Sequence, residues 1–348
     1  MKKTTKLLTL ATVIALSALL GGCSSSEPQA ETTTPSTTTT TTPSTTPDTA
    51  VDTTSSDVTI GIIQFAPHPS LDNCTAGTVE ALEAAGYTNI DIKIADGTTT
   101  QTDMMAKTMV TSGYDVIIPI ATPAAMSAYS AAKDAGIPVV FSAVADPLAA
   151  GLAVELANPQ TGATGTSDAL NLEGQLEMIR AFLPDATTIG VLYTTSEPNS
   201  ITHLEELEAI APNYGFTIES VGITNESEVA SGATALVSKG IDAVTNFTDN
   251  NVVNNLPALL NATNNAGIPV FGSEEEQVRN GCLASETLDY IALGNVTGEL
   301  AVQVLQGADV LTLSVEVIAD STPVFSQTVA DALSITIPES YSHAADLG

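Results

Sequence analysis

Ala135-Gly136-Ile137-Pro138 leads into the apolar run Val139-Val140-Phe141, and 131 residues later Ala266-Gly267-Ile268-Pro269 leads into Val270-Phe271. Each copy reads as a helix stopped at glycine, followed by a short strand with no polar face. Other landmarks recur in the same order. Ile60-Gly61, with Pro69-Ser70 opening a helix, returns as Ile189-Gly190 and Asn199-Ser200, at offsets of 129 and 130. Ser112-Gly113-Tyr114-Asp115 returns as Lys239-Gly240-Ile241-Asp242, at an offset of 127. Near-constant spacing of ordered landmarks predicts a duplication, and so two similar lobes.

Between the landmarks, strands are expected at 58–64, 115–120, 137–143, 188–193, 241–247 and 268–271. Stretches with helical spacing of apolar residues fill the gaps: 70–86, 99–113, 124–136, 168–182, 199–214, 226–240 and 252–267. Strand alternating with helix implies right-handed crossovers and parallel sheets, an α/β fold of two Rossmann-like lobes.

With 348 residues, 43% of them apolar, the chain has material for a sizeable core. Its 40 acidic residues stand against nine lysines and arginines, which excludes nucleic acid as a partner. Three of those cations, Lys2, Lys3 and Lys6, precede the apolar stretch 7–22, which is short for a membrane span and suits a secretion signal. The signal ends in Leu20-Gly21-Gly22-Cys23, which resembles the bacterial lipobox; that match implies cleavage before Cys23 and a diacylglycerol anchor on its thiol. Residues 23–57, nearly all Thr, Ser and Pro after the cysteine, read as a tether that cannot bury enough apolar area to fold. Extended, it reaches on the order of 100 Å at about 3.1 Å per residue.

In open parallel sheets a ligand sits beyond the carboxyl ends of the strands. Those ends offer Gln64, Phe65, His68, Thr122 and Asp146 from the first half. Ser167, Asp168, Glu197, Asn199, Ser200, Phe247, Asp249 and Asn250 come from the second. The six remaining cations, Lys93, Lys107, Lys133, Arg180, Lys239 and Arg279, are all placed away from these ends. A strongly anionic ligand is therefore disfavoured, because it needs Arg or Lys for pairing. A zwitterion fits better: Asp168, Asp249 or Glu197 can take an ammonium, while hydroxyls and helix N-terminal amides at Thr122, Ser167 or Ser200 receive a carboxylate. Phe65 and Phe247 are placed to stack on an apolar or aromatic side chain. Structural roles stand beside each of these: helix capping for Asp168, Ser200 and Asn250, a turn for Asp146, a loop for His68 and core for the two phenylalanines. Cys74 and Cys282 leave open a disulfide or two isolated thiols. Signatures of nucleophilic, metal or phosphate chemistry are missing, so neither catalysis nor a cofactor is expected.

The same residues resemble the substrate-binding lipoproteins of ABC importers, in particular the tryptophan- and tyrosine-binding group. The likeness rests on Ile60-Gly61-Ile62-Ile63-Gln64-Phe65, His68 to Asp72, Ile120 to Ala124, Val140 to Pro147, Gly165 to Asp168, Ser196 to Ser200, Thr248 to Asn250 and Asp289 to Gly294. The resemblance implies a type I periplasmic-binding-protein fold with three hinge crossovers. It puts 58–160 and 284–312 in one lobe and 161–283 and 313–348 in the other. It also implies a monomer that closes on an amino acid such as Trp, Tyr or Phe and hands it to a membrane permease with its ATPase. A sensory receptor of the same fold is the alternative, and an extracellular hydrolase a more distant one.

Overall fold

The computed structural model describes residues 57–348. The expected signal 1–22, the lipidation site Cys23 and the tether up to residue 56 lie outside them. Among the described residues no helix is long and apolar enough to cross a membrane.

The chain runs β1 (Ile60–Gln64), α1 (Pro69–Ala84), β2 (Ile90–Ile94), α2 (Thr99–Thr111), β3 (Val116–Ile120), α3 (Thr122–Ala132), β4 (Val139–Phe141) and β5 (Ala163–Ser167). It continues as α4 (Leu172–Phe182), β6 (Thr188–Thr194), α5 (Pro198–Ile210), β7 (Thr217–Ile223), α6 (Val229–Val237), β8 (Ala243–Thr245), α7 (Asn250–Asn254), α8 (Leu256–Ala266), β9 (Val270–Gly272), α9 (Glu275–Arg279) and β10 (Ala284–Thr287). Then come α10 (Tyr290–Leu305), β11 (Glu316–Val317), β12 (Thr322–Phe325), α11 (Gln327–Leu333) and β13 (Ala345–Asp346).

Two sheets form, ordered β11-β5-β4-β3-β1-β2 and β13-β12-β10-β9-β8-β6-β7. The stretch β2-β1-β3-β4-β5 of one matches β7-β6-β8-β9-β10 of the other, so the duplication read from glycine and proline landmarks is a duplication of topology. All pairings are parallel except β10 with β12. The central strands β1, β3 and β4 are buried along their whole length, as parallel strands covered on both faces must be. In each lobe the strand order reverses beside the first strand, β1 or β6, which opens a crevice at the carboxyl ends.

The chain passes between lobes three times, as expected, but later than expected. Strand β5 pairs with β4 in the first sheet, β10 pairs with β9 in the second, and β11 returns to pair with β5. The crossings therefore fall at 168–171, 288–289 and 318–321, so 161–167 and 313–317 belong with the first lobe and 284–287 with the second. Composition explains the difference. Ala163-Thr164-Gly165-Thr166-Ser167 and Ala284-Ser285-Glu286-Thr287 contain no bulky apolar residue, so their sequences carry no strand signal although both are paired.

Helix α10 returns to the first lobe and lies against α1 at very short range. A Cβ at Gly77 would overlap the carbonyl oxygen of Ile291, and one at Gly294 would overlap that of Cys74. Thr78 Oγ1 donates to the Gly294 carbonyl oxygen at 3.1 Å across this seam. The seam matters to function because it fixes the start of α10, where Tyr290 stands. Both Cys74 and Cys282 are free buried thiols. Replacing Gly77 or Gly294 by Ala is expected to cost about 1–3 kcal/mol by overpacking. Gly162→Ala, with nothing within 4 Å of its Cβ, is the silent control. Thermal melts that leave all three variants equal to the parent contradict this seam.

Candidate functional site

Between the lobes, at the carboxyl ends of β1, β3, β4, β6, β8 and β9, lies a cavity of about 20 Å³. Its walls are His68, Leu71, Ala121, Thr122, Ala143, Ala145, Asp168, Asn199, Thr248, Asn250, Glu274 and Tyr290. The first lobe contributes His68, at the N-cap of α1, and Thr122, which opens α3. The second contributes Asn199 from the first turn of α5, Thr248 and Asn250 around the start of α7, and Glu274 at the N-cap of α9. Asp168 comes from the first crossover and Tyr290 from the start of α10, just after the second. Ala121 and Ala143 hold φ of 80° and 53°, conformations that alanine rarely adopts, and both face the cavity.

Five of the thirteen sequence-derived candidates therefore line the cavity: His68, Thr122, Asp168, Asn199 and Asn250. The other eight do not. Gln64 is spent locally, donating to the Ala66 carbonyl oxygen and Asp72 and accepting from Thr75. Asp146 accepts from the amides of Leu148 and Ala149, the turn role. Ser167 donates to the Ala145 carbonyl oxygen. Asp249 accepts from Thr194, Ser200 and the Val252 amide, so it and Ser200 brace the second lobe. Glu197 stands behind the wall and accepts from Asn199, Asn250 and Asn251. Phe65 and Phe247 belong to the cores of their lobes.

Of the three carboxylates that sequence offers to an ammonium, only Asp168 keeps an oxygen free. Tyr290 donates to its Oδ2 at 3.2 Å, while Oδ1 is buried without a partner. His68 Nδ1 and Asn199 Oδ1 are also buried and unpartnered. Burial pushes the Asp168 carboxyl up to about 6 and the Glu274 carboxyl up to about 7. The same desolvation pushes His68 down to about 4. Among the described residues no lysine or arginine lines the cavity. Lys93, Lys239 and Arg279 pair with Asp91, Glu219 and Glu275, and Arg180 is occupied by carbonyl oxygens at the base of the second lobe.

Sequence reasoning missed Glu274 and Tyr290 as wall residues. Glu274 follows a strand end directly, and Tyr290 lies within the family-like Asp289-to-Gly294 segment, so both signals were present. What hid Tyr290 was a crossover: it reaches the cleft only because the chain changes lobes just before it.

A family model described as ABC transporter substrate binding protein matches residues 59–347. The tyrosine-binding protein of Clostridioides difficile (strain R20291) is 37% identical over 279 residues, covering 79% of this chain and 80% of that one. An ABC domain in complex with L-Trp from Streptococcus pneumonia superposes with a TM-score of 0.80 at 37% identity, covering 83% and 98% of the two chains. The ligand-free, open structure of a substrate-binding protein with adhesive properties from Clostridium difficile gives 0.64 at 36% identity, with the same coverages.

Buried acids make stability fall as pH rises. The folded protein holds protons on Asp168 and Glu274 that the unfolded chain releases near pH 4, so their contribution is complete below that point and lost as pH climbs to about 7. His68 and His203, both lowered to about 4, act oppositely between pH 4 and 6.5. Above 6.5 only the acids act. The unliganded protein is expected to lose melting temperature between pH 6.5 and 8, and Glu274→Gln to flatten that slope. A slope that the variant leaves unchanged contradicts the assignment.

Proposed function

Since the chain belongs to the family of ABC transporter substrate binding proteins, we propose that it captures an aromatic L-amino acid between its lobes for import. One observation carries the reading: a buried crevice with unpartnered acceptors, two acidic side chains and no cation. Such a site is costly until a ligand brings positive charge, because each unpaired buried polar group costs about 1–3 kcal/mol. The α-ammonium goes to Asp168, and the carboxylate to the Thr122 hydroxyl and the Thr122 and Ala124 amides at the start of α3, ahead of the first intrahelical donor; Pro123 between them has no N–H.

Small residues at Ala121, Ala143 and Ala145, with Leu71 and the Tyr290 ring, give a side chain an apolar bed. The names of the relatives, one tyrosine-binding and one bound to L-Trp, agree with an aromatic side chain there. Capture works by hinged closure. A cavity of about 20 Å³ has room for about one water, so entry of an amino acid requires the lobes to part. At nearly equal identity the chain is closer in shape to the L-Trp complex than to the open ligand-free relative, which supports reading the lobes as closed here. Ligand favours closure because its two ends bond to different lobes.

The delivery apparatus follows from the family and the leader. Cleavage before Cys23 and diacylglycerol on its thiol would hold the protein on the outer face of the bacterial membrane. The tether then lets the lobes reach a permease, which with its ATPase receives the ligand from the closed form.

Calorimetry with L-tyrosine, L-tryptophan and L-phenylalanine is expected to show binding, and 3-indolepropionate, which lacks the amine, to give none. Asp168→Asn should weaken L-tryptophan roughly tenfold or more, the worth of one hydrogen bond to a charged group. Heat from only a phosphorylated or dicarboxylic compound would overturn the proposal.

A further inference from the structure

We infer that Glu197, which stands behind the cavity wall, is the positioning residue that aims two of the cavity's three bare acceptors and so completes a cage for a primary ammonium group. The inference rests on the amino-acid reading above and goes on to say how the ammonium is recognised.

The argument begins with the Asn250 amide. Its Nδ2 lies 2.6 Å from Glu197 Oε2. A carboxylate only accepts, so the NH₂ end of the amide must face it, and Oδ1 must face the other way. There it meets His68 Nε2 at a long 3.4 Å. An amide oxygen also only accepts, so the His68 proton sits on Nε2 and leaves Nδ1 bare. Nδ1 is the buried ring nitrogen without a partner.

Asn199 is turned by the same carboxylate. Its Nδ2 lies 3.3 Å from Glu197 Oε2 and 3.2 Å from the Thr248 carbonyl oxygen. Both are acceptors, so the amide presents its NH₂ to them and its Oδ1 to the cavity, where it has no partner. The third bare acceptor, Asp168 Oδ1, is left over because Tyr290 takes the other oxygen.

The count and the size agree. Three buried acceptors line a space that one water or one ammonium fills. Water has two protons to donate and leaves one acceptor unmet; a primary ammonium has three. The acceptors also come from different parts of the fold: His68 from the first lobe, Asn199 from the second, Asp168 from a crossover. Closure therefore assembles the cage. Glu197 itself is held by five N–H groups, the main-chain amides of Asn250 and Asn251 and the side chains of Asn199, Asn250 and Asn251. Burial and the nearby Asp249 push its carboxyl up; against that, all five neighbours are N–H donors and none can accept a carboxyl proton, the surroundings an ionised carboxylate requires.

Glu197→Gln replaces one acceptor-only oxygen with an NH₂ group of the same shape. The asparagine amides then lose the constraint that orients them. The chain has three histidines, which makes the tautomer of His68 readable by nitrogen NMR of the full-length protein labelled at histidine. The wild type is expected to show His68 protonated at Nε2. In E197Q the proton should move toward Nδ1, and L-tryptophan should bind roughly tenfold or more weakly, with the His203 and His343 signals unmoved. His68 protonated at Nδ1 in the wild type, or a folded E197Q with unchanged affinity, overturns the inference. Should E197Q not fold, wild-type protein decides the matter with L-tryptophan and its Nα,Nα-dimethyl derivative. The cage requires roughly tenfold or more loss on dimethylation, and equal affinity overturns it. Tolerance of the dimethyl derivative fails the cage alone, whereas failure of every L-amino acid to bind fails the functional reading and the cage together.

Discussion

Three hydrogen-bond acceptors are buried without a partner at the cleft, and among the described residues no lysine or arginine lines it. Asp168, Asn199 and His68 each leave one acceptor buried and unpaired. At about 1–3 kcal/mol each, three such groups disfavour the empty closed form by an amount comparable to the ~5.5 kcal/mol that separates a 1:99 from a 99:1 population. The protein thus stores its response to ligand in unmet hydrogen bonds. On the proposed reading, a guest with an ammonium would release that cost only when both lobes surround it, so that capture and closure would be the same event.

The duplicated topology exists to bring those acceptors together. Each lobe turns the carboxyl ends of its strands toward the other, and the loops there start helices α1, α3, α5 and α7. The first crossover then adds Asp168, and the second delivers Tyr290 at the start of α10. Tyr290 is placed by the glycine seam between α1 and α10, and it in turn fixes Asp168 by donating to Oδ2. Packing far from the cleft therefore decides which carboxylate oxygen is left for a ligand.

The two lobes were legible because glycine stops and proline entries repeat where the backbone repeats. Boundaries were less so, because β5 and β10 are built from Ala, Thr, Ser, Gly and Glu and are strands only by virtue of their neighbours. In the site, reading from strand ends reached the loops that line this cavity but not which side chains in them face it. Asn199 and Ser200 both stand in the first turn of α5, where successive side chains point about 100° apart: Asn199 reaches the cavity while Ser200 turns to Asp249. Phe65 and Phe247 sit at the proper height but pack in the cores of their lobes, Phe65 also edging a separate cavity of about 520 Å³ that it shares with Glu197. The absence of lysine and arginine from the cleft, by contrast, was readable from the sequence, since a cation that is scarce overall is easily placed elsewhere.

The claim at the centre of this account is that the guest carries the positive charge the crevice lacks. A crystal structure of the protein grown with L-tryptophan tests it most directly. The account predicts the ammonium nitrogen within about 2.7–3.2 Å of Asp168 Oδ1, enclosed by groups from both lobes. An ammonium left facing solvent, with the carboxylate held instead by a lysine or arginine, would contradict it.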